Sequence, residues 1–172
     1  MERDYDQVST EEILERSGVS RGALYHHFPA KLDLFRAVFM ASERRVIDRI
    51  AAEIPPTESP LDAIVALSRG YLRAAESDDE LRRIGLGQSR AVLGWEGWRE
   101  SCLDLGIAAS LAGVTAAIEA GELPPHDPET MAIILLGALI DAGMLIVLAD
   151  DAAAARERSE AVVVDMLEGL RR

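Results

Sequence analysis

The sequence has a single cysteine, a single lysine and few aromatic side chains, which make up 5% of its 172 residues. Because Cys102 has no second cysteine to pair with, an intramolecular disulfide is excluded, and no Cys/His cluster predicts a zinc site. No segment shows the alternation of β-branched and polar residues that is typical of strands. The composition is 49% apolar and therefore predicts an all-α globular protein, and the lone cysteine fits a reducing cytoplasm.

Sequence motifs of enzymes are also missing. There is no Glu-x-x-His pair, nucleophile elbow, glycine-rich phosphate loop or spaced pair of catalytic carboxylates with a histidine partner. Residues 126–129 could suggest metal ligands, but a proline loop followed by a helix N-cap explains them more simply. The sequence thus predicts no enzyme, no cofactor and no metal site. Since charged residues begin the chain and no apolar run follows them, no secretory signal is predicted either.

The net charge of −12 is unevenly distributed along the chain. Residues 1–50 carry eight basic and nine acidic side chains, whereas residues 51–172 carry ten basic and twenty-one acidic ones. A nearly neutral N-terminal part can still bind phosphates if its basic groups share one face, while the acidic remainder disfavours nonspecific binding elsewhere. The charge therefore permits a nucleic-acid-binding head without demonstrating one.

Two short helices are predicted near the N-terminus. Ser9-Thr10-Glu11-Glu12 is a capping box that begins a helix over about 10–17, and Gly18 ends it. Ser20 is the N-cap of a second helix, which Pro29 closes. The outward face of this second helix presents Arg21, Gly22, Tyr25 and His26. Two short helices joined by a three-residue turn that begins with glycine form a helix-turn-helix pattern.

Longer helices are predicted over about 31–53 and 60–76, followed by one that starts at about 77 and one that contains Trp98 and runs to about 120. Two more are predicted over about 127–150 and 152–172. Ser77 to Glu80 is a second capping box, and Gly85, Gly87 and Gly94 weaken the helix that it starts, so a bend is expected there. We predict two domains, a helix-turn-helix head over residues 1–45 and a larger helical body over residues 46–172.

Three stretches of the head resemble a known protein family. Val-Ser-Thr-Glu-Glu-Ile, then Gly-Val-Ser-Arg-Gly-Ala-Leu-Tyr-His-His-Phe-Pro-Ala-Lys, then Leu-Phe closely resemble the DNA-binding head of TetR/AcrR-type transcriptional regulators. The match covers about residues 5–45, and the body agrees with the family in architecture only. The resemblance implies a cytoplasmic regulator that binds a pseudo-palindromic double-stranded DNA operator as a homodimer, with repression as the family default.

The resemblance also implies roles for individual residues of the head. Ser9 and Thr10 would donate to a backbone phosphate at a helix N-terminus. Arg21 would reach guanine in the major groove, and Gly22 would permit close approach. Tyr25 and His26 would touch backbone or bases, while His27 and Lys31 would anchor phosphates. The alternatives are that His27 packs against the next helix and that Tyr25 is an ordinary surface aromatic.

The head departs from the family in one respect, because only eight residues precede the capping box, where the family has a first helix of a dozen or more. Without such a first helix, parts of the apolar side chains of Ile13, Leu14, Val19, Leu24 and Phe28 would be exposed. The loss of stability would be about 5–12 kcal/mol. We therefore expect a shortened chain or a start codon assigned too far downstream. The alternative function is a dimeric small-molecule-binding or protein-interaction module that does not bind DNA.

The body contains nineteen nearly apolar residues, 131–149. A membrane helix is disfavoured by Asp141 near the middle and by acidic rather than basic flanks. Burial against both the body and a second subunit explains the segment better, and in the family the last two helices build a four-helix dimer interface, here about 127–171.

The middle helices are expected to enclose a cavity for a largely apolar small-molecule effector. The candidate lining comprises Tyr71, Trp95, Trp98, Cys102, Asp141 and Met144. The alternative is that these residues belong to the plain core, where Trp and Met on helices are found more often. A redox role for Cys102 is disfavoured, since no neighbour in sequence lowers its pKa.

Overall fold

Residues 4–172 are described by a computed structural model, and in this part of the chain all regular structure is helical, as the composition predicts. A 3-10 turn (Tyr5–Gln7) comes first, and a π-helical segment (Leu81–Gln88) lies between the fourth and fifth helices. The α-helices are α1 (Thr10–Ser17), α2 (Arg21–His27), α3 (Lys31–Glu53), α4 (Pro60–Ser77), α5 (Ser89–Glu119), α6 (Pro128–Val147) and α7 (Ala152–Gly169). Residues 1–3 of the predicted head lie outside the described residues.

Side-chain caps begin α1 and α2 where the sequence predicts them. The Ser9 Oγ accepts from the Glu12 amide at 3.2 Å, and the Ser20 Oγ accepts from the Ala23 amide at 3.2 Å. Gly18 ends α1 in the left-handed conformation, with φ 68°. The predicted helix-turn-helix is therefore confirmed.

Helix α3 is continuous across the predicted domain boundary between residues 45 and 46. It leaves the head at Lys31 and enters the body, where Phe39, Val46 and Ile50 are buried. One continuous helix of 23 residues thus links the two parts.

The predicted bend after α4 takes the form of the π-helical segment and a kink. The cap of this region is Asp78, whose Oδ1 accepts from the Leu81 amide at 2.9 Å, whereas Ser77 lies within α4 and donates to the Arg73 carbonyl at 3.0 Å. The predicted capping box at Ser77 was therefore one residue early. Within α5, Gly94 has φ 69° and ψ 170°, which breaks the helical path.

Three apolar clusters form the core. The first joins α3, α4, the π-helical segment, α6 and α7 around Leu72 and Ile146. The second joins α4, α5, α6 and α7 around Leu61 and Leu167. A third, smaller cluster packs Phe39 of α3 against Trp98 of α5. The largest core thus lies in the body, and α3 enters it from the head.

The head contributes little to this core, since neither α1 nor α2 contains a buried residue. Val19, in the turn between them, is 43% exposed. An open groove of about 1010 Å³ lies between the head and the π-helical segment, lined by Ile13, Phe35, Val38 and Ile84 among others.

Two helical stretches, Leu81–Glu119 and Pro128–Val147, are long and apolar enough to cross a membrane by length and composition alone. Core helices of globular proteins pass the same test. Asp141 interrupts the second stretch, and Met131, Ala132 and Ile146 within it are buried against neighbouring helices. The length and apolar composition of α6 are therefore compatible with a helix packed in a protein core.

Candidate functional site

The outward face of α2 is open to solvent. Tyr25 is 39% exposed, and a side chain at Gly22 would meet no atom within 4 Å, so the backbone there can be approached closely. Arg21 is exposed and its guanidinium donates to the Glu11 carboxylate at 2.8 Å. A bound phosphate or base must compete with this exposed pair, which is weak in water.

The remaining predicted contacts surround this face. Ser9 is exposed at the N-cap of α1, and Thr10, half-buried, is the first residue of that helix. The amides at this helix start and the helix dipole favour an anion. His26 and His27 are exposed at the end of α2, with ring centroids 5.2 Å apart. The centroid of the His27 ring also lies 6.4 Å from that of Phe28. Because the His27 side chain is exposed, it is available for a phosphate.

Lys31 occupies a different environment from the one expected of a phosphate anchor. Its Nζ donates to the Tyr5 carbonyl at 2.5 Å and lies 3.8 Å from the centroid of the Tyr5 ring. The side chain is half-buried, because the 3-10 turn packs over the start of α3. In this arrangement Lys31 holds the N-terminal turn in place, and a phosphate contact requires its ammonium to leave the Tyr5 carbonyl.

The π-helical segment also holds this turn. The Gln88 side chain accepts from the Tyr5 amide at 2.9 Å and donates to the Asp4 carboxylate at 3.0 Å. These two hydrogen bonds connect the last residue of the segment to the first described residues of the head. Beside the continuous α3, Gln88 thus attaches the head to the body.

A cavity of about 400 Å³ lies in the body between α3, α4, α5, α6 and α7. Its walls are predominantly aliphatic, with Ile64, Leu105, Leu136 and Val163 from four different helices. The hydroxyls of two lining serines, Ser68 and Ser110, donate to backbone carbonyls of α4 and α6. The cavity has the size and apolar character of a small-molecule site.

Three of the six predicted lining residues, Tyr71, Trp98 and Cys102, line this cavity, and the structure places the other three outside it. Trp95 follows the Gly94 kink and is 54% exposed, with the Arg90 guanidinium 4.8 Å from its ring. Asp141 is exposed on the outer face of α6. Met144 lies one turn beyond the last lining residue of α6 and packs against the first core cluster. Spacing along a helix could not reveal which face the neighbouring helices enclose.

Glu43 is a lining residue that the sequence reasoning missed. It is the one charged side chain among the described residues that line the cavity, and its Oε1 has no hydrogen-bond partner. A Cβ atom at Gly85 would lie 2.0 Å from this oxygen, so the carboxyl group occupies space that only a glycine leaves free. A signal was present in the sequence, because Glu43 interrupts the buried stripe of Phe39, Val46 and Ile50.

Burial changes the protonation of the groups around the cavity. Burial, together with the nearby carboxylates of Asp78 and Glu80, raises the pKa of Glu43 to about 7. Burial also raises the pKa of the Cys102 thiol to about 12 and that of the Tyr71 hydroxyl well above its usual value. Cys102 is therefore a protonated thiol at neutral pH, which disfavours the redox role.

An ion-pair cluster lies close to Glu43, where α3 meets the start of the π-helical segment. Arg45 pairs with Glu80, and Arg49 pairs with Asp78. The Arg45 hydrogen bond lowers the pKa of Glu80, while the Leu81 amide and Arg49 lower that of Asp78 against the opposing effect of burial. Both carboxylates are thus ionised at neutral pH and are paired outside the cavity.

The chain is similar to known regulators over both of its parts. A family model described as "Bacterial regulatory proteins, tetR family" matches residues 1–38, and one described as "Tetracyclin repressor-like, C-terminal domain" matches residues 61–170. An uncharacterized HTH-type transcriptional regulator of Mycobacterium tuberculosis is 30% identical, over 84% of this chain and 88% of that protein.

Solved structures agree with these matches. A TetR-family transcriptional regulator from Pectobacterium atrosepticum is 27% identical and superposes with a TM-score of 0.78, over 97% of this chain and 85% of that one. The transcriptional repressor QsdR of R. erythropolis, 18% identical, shares the fold with a TM-score of 0.63, over 98% of this chain and 89% of that one.

Proposed function

Because the chain belongs to the TetR family of ligand-responsive, DNA-binding transcriptional regulators, we propose that it is a cytoplasmic repressor that leaves its operator when a small molecule enters the cavity. The observation that carries the proposal is the continuous α3, which has the helix-turn-helix at one end and the cavity wall at the other. A ligand that prefers one position of α3 changes the position of the head.

The DNA-binding face of this proposal is the exposed side of α2 with the start of α1. Arg21 and Gly22 enter the major groove, Tyr25 and His26 contact bases or backbone, and Ser9, Thr10 and His27 contact phosphates. Lys31 joins the phosphate contacts only after it exchanges the Tyr5 carbonyl for a phosphate oxygen. The open backbone at Gly22 and the exposure of Arg21 and Tyr25 support this assignment.

A homodimer through α6 and α7 completes the proposed assembly. Large apolar side chains on these two helices are exposed, namely Ile134 (61%), Leu145 (65%), Leu148 (75%), Val162 (59%) and Met166 (47%). Exposed apolar area of this kind on one pair of helices is typical of an interface. A two-fold dimer would place two copies of α2 about 34–36 Å apart, one turn of DNA, on a pseudo-palindrome.

Two paths connect the cavity to the head in the proposed switch. The first is α3 itself, from Glu43 in the cavity wall to Lys31 in the head. The second is the π-helical segment, which carries Gly85 against the Glu43 carboxyl and, three residues later, Gln88 against the N-terminal turn. π-helical turns occur frequently at functional sites. A ligand that displaces the Glu43 side chain therefore acts on α3 and on the π-helical segment, both of which contact the head.

The test is fluorescence anisotropy with a labelled DNA fragment taken from immediately upstream of the chain's own gene. We expect salt-dependent, specific binding that Arg21→Ala weakens by about 1–3 kcal/mol, roughly 5-fold to 150-fold. The matched control is Arg73→Ala, an exposed arginine on α4 in the body, which should leave binding unchanged. Equal losses of DNA affinity in the two variants would contradict the proposed face, because any exposed positive charge would then contribute equally to binding.

A further inference from the structure

We propose that the effector is an apolar organic cation, a protonated amine on a hydrophobic skeleton, whose ammonium group pairs with the Glu43 carboxylate in the cavity wall. The inference rests on the proposed effector cavity and adds the chemical class of its ligand. Three observations carry it: the charge of the lining, the unpartnered carboxyl oxygen and the aromatic side chains that line the same cavity.

The lining has one charged group and that group is acidic. The described lining residues include no lysine, arginine or histidine. On α3, Arg45 and Arg49 pair with Glu80 and Asp78 outside the cavity, and the adjacent Arg44 is exposed and does not line it. An anionic ligand would bring a second negative charge next to Glu43 with no cation to offset it. A neutral hydrocarbon would fill the space but leave the Glu43 oxygen without a partner, which is costly for a buried polar atom.

A protonated amine satisfies both requirements. An ammonium group donates up to three hydrogen bonds, and a carboxylate accepts charge-assisted bonds that are stronger than neutral ones. Tyr71 of α4 and Trp98 of α5 line the same cavity, and aromatic faces attract organic cations. The aliphatic walls formed by α4, α5 and α6 take the rest of the skeleton. The cavity volume of about 400 Å³ accommodates a molecule with two fused aromatic rings and a short side chain.

Binding should depend on pH, because only ionised Glu43 attracts the cation. Its carboxyl interacts electrostatically with Tyr71 of α4 and Cys102 of α5, and with Asp78 and Glu80, which lie between α4 and the π-helical segment. The raised pKa values of Tyr71 and Cys102 keep these two groups neutral, and the arginine-paired Asp78 and Glu80 stay ionised, between pH 6 and 8. Glu43, with a pKa of about 7, is therefore the group of this set that titrates in the interval. The affinity for an amine should rise about tenfold from pH 6 to pH 8.

The experiment is calorimetric titration of the full chain with three probes of one shape: naphthylethylamine, the neutral ethylnaphthalene and the anionic naphthylacetate. We expect the amine to bind at least tenfold tighter than the hydrocarbon and the anion to bind most weakly. Glu43→Gln keeps the shape of the side chain and should weaken the amine at least 30-fold, remove its pH dependence and leave ethylnaphthalene unchanged. Glu53→Gln, an exposed glutamate on the same helix, is the matched control and should behave as the unsubstituted chain.

The outcomes separate this inference from the proposed function. Equal or tighter binding of ethylnaphthalene or naphthylacetate, no amine binding up to millimolar concentration, or amine binding that survives Glu43→Gln would overturn the ligand class. If the hydrocarbon alone binds and releases the DNA, the repressor proposal stands without the cation. If the amine binds through Glu43 but the DNA stays bound, the ligand class stands and the proposed switch fails.

Discussion

Replacing Glu43 by glutamine should change the pH dependence of folding stability in a way that can be calculated. Burial and the neighbouring carboxylates raise the pKa of Glu43 from 4.5 to about 7 in the folded chain. Between these two values the folded state holds a proton that the unfolded state has released. The contribution of Glu43 is therefore most favourable below pH 4.5 and is lost as the pH rises through about 7.

The size of the effect follows from the shift. A difference of about 2.5 pKa units at 1.36 kcal/mol each corresponds to about 3 kcal/mol between low pH and pH 8 and above. Glutamine has no charge to bury, so Glu43→Gln loses this dependence. We compare the unfolding free energy of the variant with that of the unsubstituted chain at each pH. From pH 5 to pH 8 this difference should shift in favour of the variant by about 2–3 kcal/mol, which corresponds to roughly 5–10 °C in Tm.

The assay is urea unfolding followed by circular dichroism at pH 5 and pH 8, at one protein concentration because a dimer makes stability depend on concentration. Other groups that titrate in this range do so in both proteins, and their effects cancel in the difference. Glu53→Gln, exposed on the same helix, should show no such change. A Glu43→Gln difference that is the same at both pH values would refute the claim that this carboxyl is buried and proton-binding.

Three further substitutions test other parts of the structure. Leu145→Glu places a charge on the exposed apolar face of α6 and should yield monomers in sedimentation equilibrium, whereas Ala52→Glu, on an exposed position of α3, should remain dimeric; two dimers would argue against this interface. Gln88→Ala removes both hydrogen bonds to the N-terminal turn, so DNA affinity should fall severalfold while ligand binding in the cavity is kept; loss of both would indicate a general folding defect instead. Gly94→Ala puts a side chain on a residue with φ 69° and should lower the unfolding free energy by about 1–3 kcal/mol, whereas Gly169→Ala, with open space around it and an ordinary φ, should not; similar melting curves for the two would refute the strain argument.

The helix-turn-helix and most helix ends could be predicted because they depend on residues close together in sequence. A serine hydroxyl that caps the amide three residues later, or a glycine that allows a left-handed helix end, acts within one turn of backbone. These local signals located α1, α2 and the bend near Gly94. The same reasoning erred at Ser77, where two adjacent residues could each cap a helix and the structure has Asp78 in that role.

The sequence by itself determined the all-α class, the order of the helices and the exposed face of α2 that carries Arg21 and Tyr25. Only the tertiary structure decided which side chains surround the cavity, because that depends on how five helices distant in sequence turn towards one another. Packing placed Glu43 against Gly85, excluded Asp141 from the lining and bound Lys31 to the Tyr5 carbonyl. A charge in an apolar stripe marks a candidate site, but its partners exist only once the helices meet.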